Sequence, residues 1–389
     1  MNNITDLIQH SLNGISGELK GLRQSIHANP ELGYAEYNTT SLIKNFLVSN
    51  GVEFINFDNL TGGFAHIDCK KEKTICFRAD IDALPITEKT CVPFQSVNEG
   101  VMHACGHDMH AAIAAGTAVV LNSLKEYLKH NIVVIFQPAE ECNPEGGAKL
   151  VAEQGILEEY NVSQMYGLHV WPKYKVGEIA VKPGVIMGSS DKLSIEVIGK
   201  KSHAAEPHGG VDAISISVDI INAIEHKLRR EIDPFDTSLI SIGSIKSTGR
   251  YNVICDKVEI EGTIRTISED ARSFIHRRIN ELAAGIAGSY CGKSIVNINN
   301  GYAVVRNDRS LSEVFIRFAE GFLGKENVHT DIRPSLIGED FSFYCSIVPS
   351  LYFFLGCDCE HPLHSDRFLP KEETLYTAVN FLCNFFLSE

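Results

Sequence analysis

Apolar positions along the first 28 residues recur at helical spacing. Ile4, Leu7, Ile8, Leu12, Ile15, Leu19 and Leu22 predict an amphipathic helix over residues 3–28. Pro30 disfavours helix at Asn29 and ends it. A second helix is predicted from Glu36 to Asn50, closed by Gly51. Short strands follow at residues 52–57 and 63–68. The pattern then changes from periodic to continuous. Residues 74–79, 131–136 and 164–168 read as buried strands, the second of them a continuous apolar run, as expected for strands buried on both faces. The Ala-rich stretch Ala111–Leu121 predicts a buried helix between the first two. Each of the three runs ends in polar residues: Asp80 and Asp82, then Glu140-Glu141 after Gln137-Pro138-Ala139, then His169. In an open α/β sheet the C-terminal strand ends are where chemistry gathers.

From about Ser189 the strands alternate instead. Residues 192–198, 238–245, 257–264 and 293–299 read as strands, with helices over 211–230 and 268–289. The order β-α-β-β-α-β is that of a ferredoxin-like split unit. The expected fold class is therefore α/β: a catalytic domain with a central sheet flanked by helices (residues 1–187 and 301–389), interrupted by an inserted ferredoxin-like domain (188–300). Helices 311–322 and 372–387 and a strand at 351–355 complete the first domain.

With 389 residues, two cores are the natural expectation. A net charge of -14 without a broad basic face argues against a nucleic-acid partner. No apolar run reaches the roughly 20 residues of a membrane span, and the polar N-terminal helix does not read as a signal peptide. The 11 cysteines show no regular framework, which fits a reducing cytoplasm.

The chemistry centres on Met102-His103-Ala104-Cys105-Gly106-His107-Asp108-Met109-His110. In an extended loop Cys105 and His107 converge on one point, and thiolate plus imidazole suits a transition metal. With Glu141, His169 and His364 they offer sulfur, nitrogen and oxygen donors. Five ligands exceed what one tetrahedral catalytic ion needs, so two ions are expected, manganese or zinc, with nickel or cobalt compatible. Glu140, beside a ligand at a turning strand end, suits a general base. In the inserted domain His203 is a candidate to polarise a carbonyl oxygen. Asn252 and Arg265 are candidates to meet a substrate carboxylate or oxyanion.

The motifs FRADIDALP, MHACGHDMH, FQPAEE followed by GGA, GLHVWP, HAAEPHGGVDA, VEIEGTIRT, GEDFSFY and PLHSDRF resemble, in order and spacing, those of hippurate hydrolase-type metal amidohydrolases. These belong to a metallopeptidase superfamily that includes aminoacylases and carboxypeptidase-like enzymes. The resemblance runs from His27-x-x-Pro-Glu-Leu-Gly to Leu363-His364-Ser-x-Arg-Phe. It implies that Cys105, His107, Glu141, His169 and His364 hold two divalent ions, that Glu140 activates the hydrolytic water, and that Asp82 supports the site from behind. It also implies that the inserted domain is a lid that makes a homo-oligomer contact and carries His203, in its own or a partner's site. The expected substrate is an N-acyl amino acid or a peptide-like small molecule. Asp366, Met109 and Cys142 depart from the usual motif residues, and none removes a ligand or the base. Open beside this stand a dipeptidase or carboxypeptidase of the same fold, a cysteine-nucleophile amidase using Cys105 and His107, and a non-catalytic metal or redox protein.

Overall fold

The computed structural model describes residues 2–389. The chain divides into two compact units, Met1–Ile186 with Arg306–Arg333 and Asp340–Glu389, and Met187–Val305 with Pro334–Glu339. The second unit reaches beyond the expected 188–300 because its ends are stitched by backbone bonds. Gly188 N–H donates to Ser335 O (2.8 Å) and Ser190 N–H to Tyr302 O (2.9 Å).

The first unit opens with helices α1 (Asn2–Ala28) and α2 (Tyr37–Ser49) and strands β1 (Phe54–Asn56), β2 (Gly63–Ile67) and β3 (Thr74–Asp80). It continues through α3 (His107–Ser123), β4 (Asn131–Gln137), α4 (Gly147–Ala152), α5 (Ile156–Glu159), β5 (Val162–Trp171), β6 (Ile179–Ala180) and β7 (Gly184–Met187). The second unit holds β8 (Asp191–Ile198), β9 (Ser202–His203), α6 (Ala213–Asn222), β10 (Ser238–Ser247), β11 (Val253–Ile254), β12 (Lys257–Thr266), α7 (Glu269–Ser289) and β13 (Lys293–Asn300). The chain then passes β14 (Val305–Asn307) and finishes the first unit with α8 (Arg309–Leu323), β15 (Val328–His329), α9 (Ser342–Cys345), β16 (Ser350–Gly356) and α10 (Glu373–Ser388).

Eight strands of the first unit form one mixed sheet in the order β1-β2-β4-β3-β5-β16-β6-β15. Its centre, β4-β3-β5-β16, is parallel, and β3 and β16 are buried along their whole length. This is why those runs are mainly apolar on both faces rather than alternating. Helix α3 is buried from His107 to Leu121 and packs against α1, α10 and the sheet. It starts at His107, inside the polar cluster. Gly106 supplies the left-handed residue before it (φ 85°), and a side chain there would meet Val170 Cγ2 at 2.5 Å. The polar cluster is thereby pinned between a loop and the first turn of a buried helix.

In the second unit the sheet order is β10-β12-β8-β13, all antiparallel. Helices α6 and α7 pack on it, and Leu193, Ile195 and Val197 of β8 alternate inward onto Ile216, Ile220, Ile275 and Ile279. Each such aliphatic side chain contributes about 1.5–3 kcal/mol on burial. Helix α6 is shorter than the predicted 211–230: after Asn222 the turn widens over Ala223–Lys227 and then tightens over Leu228–Arg230. Asp191 is buried against Arg272, which grips both its oxygens (2.6 and 2.9 Å), and against His276 (2.8 Å).

Candidate metal centre

The three parallel strands β3, β4 and β5 deliver their polar C-terminal ends to one place, because they are adjacent and in register. Asp80 is opposite Gln137 across β3 and β4. Cys105 lies in the loop before α3, and its Sγ stands 3.3 Å from His169 Nε2 and 3.4 Å from His364 Nε2. His364 Nε2 lies 3.2 Å from Glu141 Oε1, close enough for charge attraction but outside hydrogen-bond geometry. Donor atoms within 4.8 Å of one another form overlapping sets: Cys105, His107 and His169; Cys105, Glu141 and His364; His107, Glu140 and Glu141. All five sequence-predicted ligands and Glu140 therefore meet.

The imidazoles are held so that one nitrogen faces the site. His107 Nδ1 lies 2.9 Å from the Asp82 carbonyl and 3.2 Å from its carboxylate. Both are acceptors, so Nδ1 carries a proton and Nε2 is the nitrogen left facing the other donors. His169 Nδ1–H donates to Val170 O (2.7 Å), leaving its Nε2 beside Cys105. Asp82 also accepts the Glu141 backbone N–H at 2.9 Å, so one carboxylate fixes two of the donors, the outer-shell arrangement typical of metal sites.

Sequence reasoning did not assign the next layer. His110 accepts the Val170 N–H on Nε2 (2.9 Å) and donates from Nδ1 to Asp80 (2.5 Å). Both its nitrogens are taken, and its ring packs against those of His107 (5.4 Å) and His169 (4.8 Å). Asp80 is paired in turn with buried Arg78 (2.6 Å), which also reaches Asp340 (2.7 Å). Asp340 accepts from Gln137 and from the Ala148 N–H at the start of α4. The signal for this layer was present as charged residues inside an otherwise apolar strand, Arg78 and Asp80. Asp108 turns away from the donors to His27 (2.9 Å) and Arg23 (3.2 Å).

The electrostatics ask for a cation. Burial opposes charge on His107, but Asp80, Asp82 and Glu141 outweigh it and raise the imidazole to about 10. Burial and then Glu141, Glu140 and Asp80 push the Cys105 thiol well above its ordinary value. Burial would raise Glu141, but His364 and His107 lower it from its ordinary value. His107 Nε2 and Glu141 Oε1 are buried without a hydrogen-bond partner among the described residues. Orphaned, inward-facing nitrogen and oxygen atoms beside a thiol, in a field of buried carboxylates, fit divalent metal ions. His364 has a left-handed backbone (φ 65°), an uncommon conformation for a residue with a side chain. Its N–H is tied to Ala104 O at 2.9 Å, beside Cys105.

The second-unit candidates are described within that unit. β9 pairs with β11 and sets His203 opposite Val253, and Ala204 N–H donates to Asn252 O (3.1 Å), so His203 and Asn252 are neighbours. His203 Nδ1 accepts the Ala205 N–H (3.1 Å), which leaves Nε2 as the protonated, outward donor. Arg265 lies on β12 opposite Leu239, half-buried, and burial lowers its guanidinium.

Comparison with known proteins follows the same lines. The profile of peptidase family M20/M25/M40 matches residues 76–388. An N-acetyldiaminopimelate deacetylase of Listeria innocua serovar 6a is 36% identical over 374 residues, covering 96% of this chain and 99% of that protein. One from Geobacillus thermodenitrificans is also 36% identical, over 94% and 96%. Among solved structures, a dinuclear metal binding peptidase of the M20 family from Bacillus subtilis superposes with a TM-score of 0.85 at 33% identity, covering 97% and 98%. An aminopeptidase from Bacillus cereus at 19% identity and TM-score 0.73, covering 96% and 98%, shares the fold. No helix among the described residues is long and apolar enough to cross a membrane. With thiol, imidazole and carboxylate donors gathered beside the ends of three parallel strands, the chain belongs to peptidase family M20/M25/M40, as a metal-dependent amidohydrolase.

Proposed function

We propose that the enzyme hydrolyses the amide of N-acyl amino acids, and that an N-acetylated amino acid of the diaminopimelate type is the first substrate to test. The observation that carries the reaction class is the placement of Glu140, 6% exposed, within 4.8 Å of donors on both His107 and Glu141. The acetyl group and the diaminopimelate moiety come from the names of the deacetylase relatives.

Cys105, His107, Glu141, His169 and His364 would hold two divalent ions. When bound, such ions lower the pKa of water and polarise the acyl carbonyl. Glu140 takes the proton from the attacking water and later delivers it to the departing nitrogen. Asp82 keeps His107 in the required tautomer. The second unit is read as the ferredoxin-like lid, a reading supported by its four-stranded antiparallel sheet with two helices packed on it. There the His203 Nε2–H is the donor for the developing oxyanion, and Arg265 and Asn252 receive the carboxylate of the amino acid.

The test is a panel of N-acetyl, N-benzoyl and N-succinyl amino acids, N-acetyldiaminopimelate and dipeptides, assayed on manganese- or zinc-loaded protein. Cleavage confined to dipeptides would replace this reading with the peptidase alternative.

The second unit also leaves Ile214, Val218 and Ile245 exposed. They line an apolar groove of about 160 Å³ together with Ile221 and Val258. We read this face as a homodimer contact. Light scattering of the intact protein is expected to give the mass of two chains, and Val218→Asp the mass of one. A wild-type monomer at assay concentration would end this reading.

A further inference from the structure

The segment His27-x-x-Pro-Glu-Leu-Gly-x-x-Glu36 lies far from Glu140 in sequence, yet it packs against the turn that carries Glu140. Ala139, the residue before the Glu140-Glu141 pair, has φ 57°, a left-handed conformation that a residue with a β-carbon adopts only when its surroundings hold it. The Ala139 N–H donates to Glu36 Oε1 at 2.8 Å. Glu36 is completely buried, and its other oxygen accepts from Thr61 Oγ1 at 2.5 Å. Although Glu36 stands at the N-cap of α2, its side chain caps nothing there. Glu31 does that work, accepting from Asn38 N (3.0 Å) and Thr39 N (2.8 Å). The Glu36 carboxyl is thus withdrawn from the local task its position suggests and spent on Ala139. Gly33 completes the contact, since a β-carbon there would stand 2.3 Å from Cys142 Sγ and 3.1 Å from Ala139 Cα. On the far side of the pair, Asp82 holds the Glu141 N–H. The turn is therefore clamped at both ends, by Asp82 after Glu140 and by Glu36 before it.

We propose that Glu36 is a positioning residue for hydrolysis: its carboxyl locks the left-handed turn at Ala139 and so sets the direction from which Glu140 and Glu141 enter the metal centre. Burying a carboxyl is costly. Burial and the neighbouring Asp82 raise Glu36 to about 7, so the chain keeps this group in place against its own electrostatics. The inference rests on the role of Glu140 proposed above.

The experiment compares wild type with Glu36→Ala, Glu36→Gln, Ala139→Gly and the double variant Glu36→Ala/Ala139→Gly. Two readouts are used: hydrogen exchange at the Ala139 amide in metal-free protein, and kcat and KM of metal-loaded protein. Glu36→Ala is expected to lose at least tenfold in exchange protection at Ala139, with α3 unchanged. It should lose about 100-fold in kcat, with KM within about threefold, as a misaimed catalytic group does. Glu36→Gln retains an acceptor and should stay within about threefold of wild type. Glycine adopts the left-handed turn without the cost borne by alanine, so Ala139→Gly should restore about tenfold of the kcat lost in Glu36→Ala. Unchanged exchange at Ala139 in Glu36→Ala, or a kcat loss that Ala139→Gly leaves untouched, would overturn the proposal. If the wild type cleaves no acyl amino acid, the functional reading fails by itself, and the exchange measurement still decides whether Glu36 holds the turn.

Discussion

Replacing Glu140 with glutamine is expected to lower kcat by about 10³–10⁴-fold, the upper range for a positioned acid–base group, while the protein keeps its metal ions. Glutamine matches glutamate in shape but neither accepts a proton from water at neutral pH nor carries one to a leaving nitrogen. The five expected ligands do not include Glu140, so the metal content measured by mass spectrometry should match wild type and KM should move by only a few fold. That combination separates a proton carrier from a ligand. Loss of metal in Glu140→Gln would make Glu140 a ligand, and near-normal turnover would remove it from the mechanism. The location supports the first outcome. Glu140 follows a residue in a left-handed turn, and the next residue, Glu141, is fixed through its backbone by Asp82. Adjacent carboxylates that would diverge on a straight strand are in this way brought among the same donors.

That turn marks where the sequence stopped being informative. The strands β3, β4 and β5 were legible because burial on both faces leaves an unmistakable apolar run, and their polar ends announced themselves as exceptions to it. The donors were legible because thiol, imidazole and carboxylate side chains are rarely placed together at strand ends without a use. Long-range partners were not legible. Nothing local to Asp340 says that it answers Arg78 across 262 positions, and nothing local to Glu36 says that it answers Ala139. Such pairs are chosen by the fold, and the chain records only that a charged residue occupies a buried position. The same limit explains the ends of the second unit. Ser335 joins it through a backbone bond from Gly188, and backbone bonds carry no side-chain signature. Helix α6 failed for a different reason. Its apolar spacing continues past Asn222, but the turn widens there, and periodicity alone does not distinguish the two geometries.

Substituting Cys105 with alanine is expected to weaken cation binding by more than about 100-fold, beyond the ten- to hundredfold typical of losing an outer-shell partner, and to abolish turnover with it. Cys105 belongs to two donor sets at once, one with His107 and His169 and one with Glu141 and His364, so its removal impairs both sets rather than one. Calorimetric titration of chelator-treated protein with manganese or zinc reads this directly. The competing view makes Cys105 a nucleophile activated by His107, and it predicts activity that survives chelation. The surroundings of the thiol oppose that view. Burial, with Glu141, Glu140 and Asp80 behind it, holds the thiol well above its ordinary value. His169, the imidazole nearest to Sγ at 3.3 Å, is held well below its own by burial and His110. A reactive thiolate needs the reverse, a thiol held below its ordinary value. A cation among these donors supplies the missing positive charge and makes the thiolate a ligand, which is the use that a buried, carboxylate-ringed cysteine favours. Chelated wild type should therefore be inactive and regain turnover on adding manganese or zinc. Full activity in chelated protein, lost on alkylating Cys105, would move the chemistry from the metal to the sulfur.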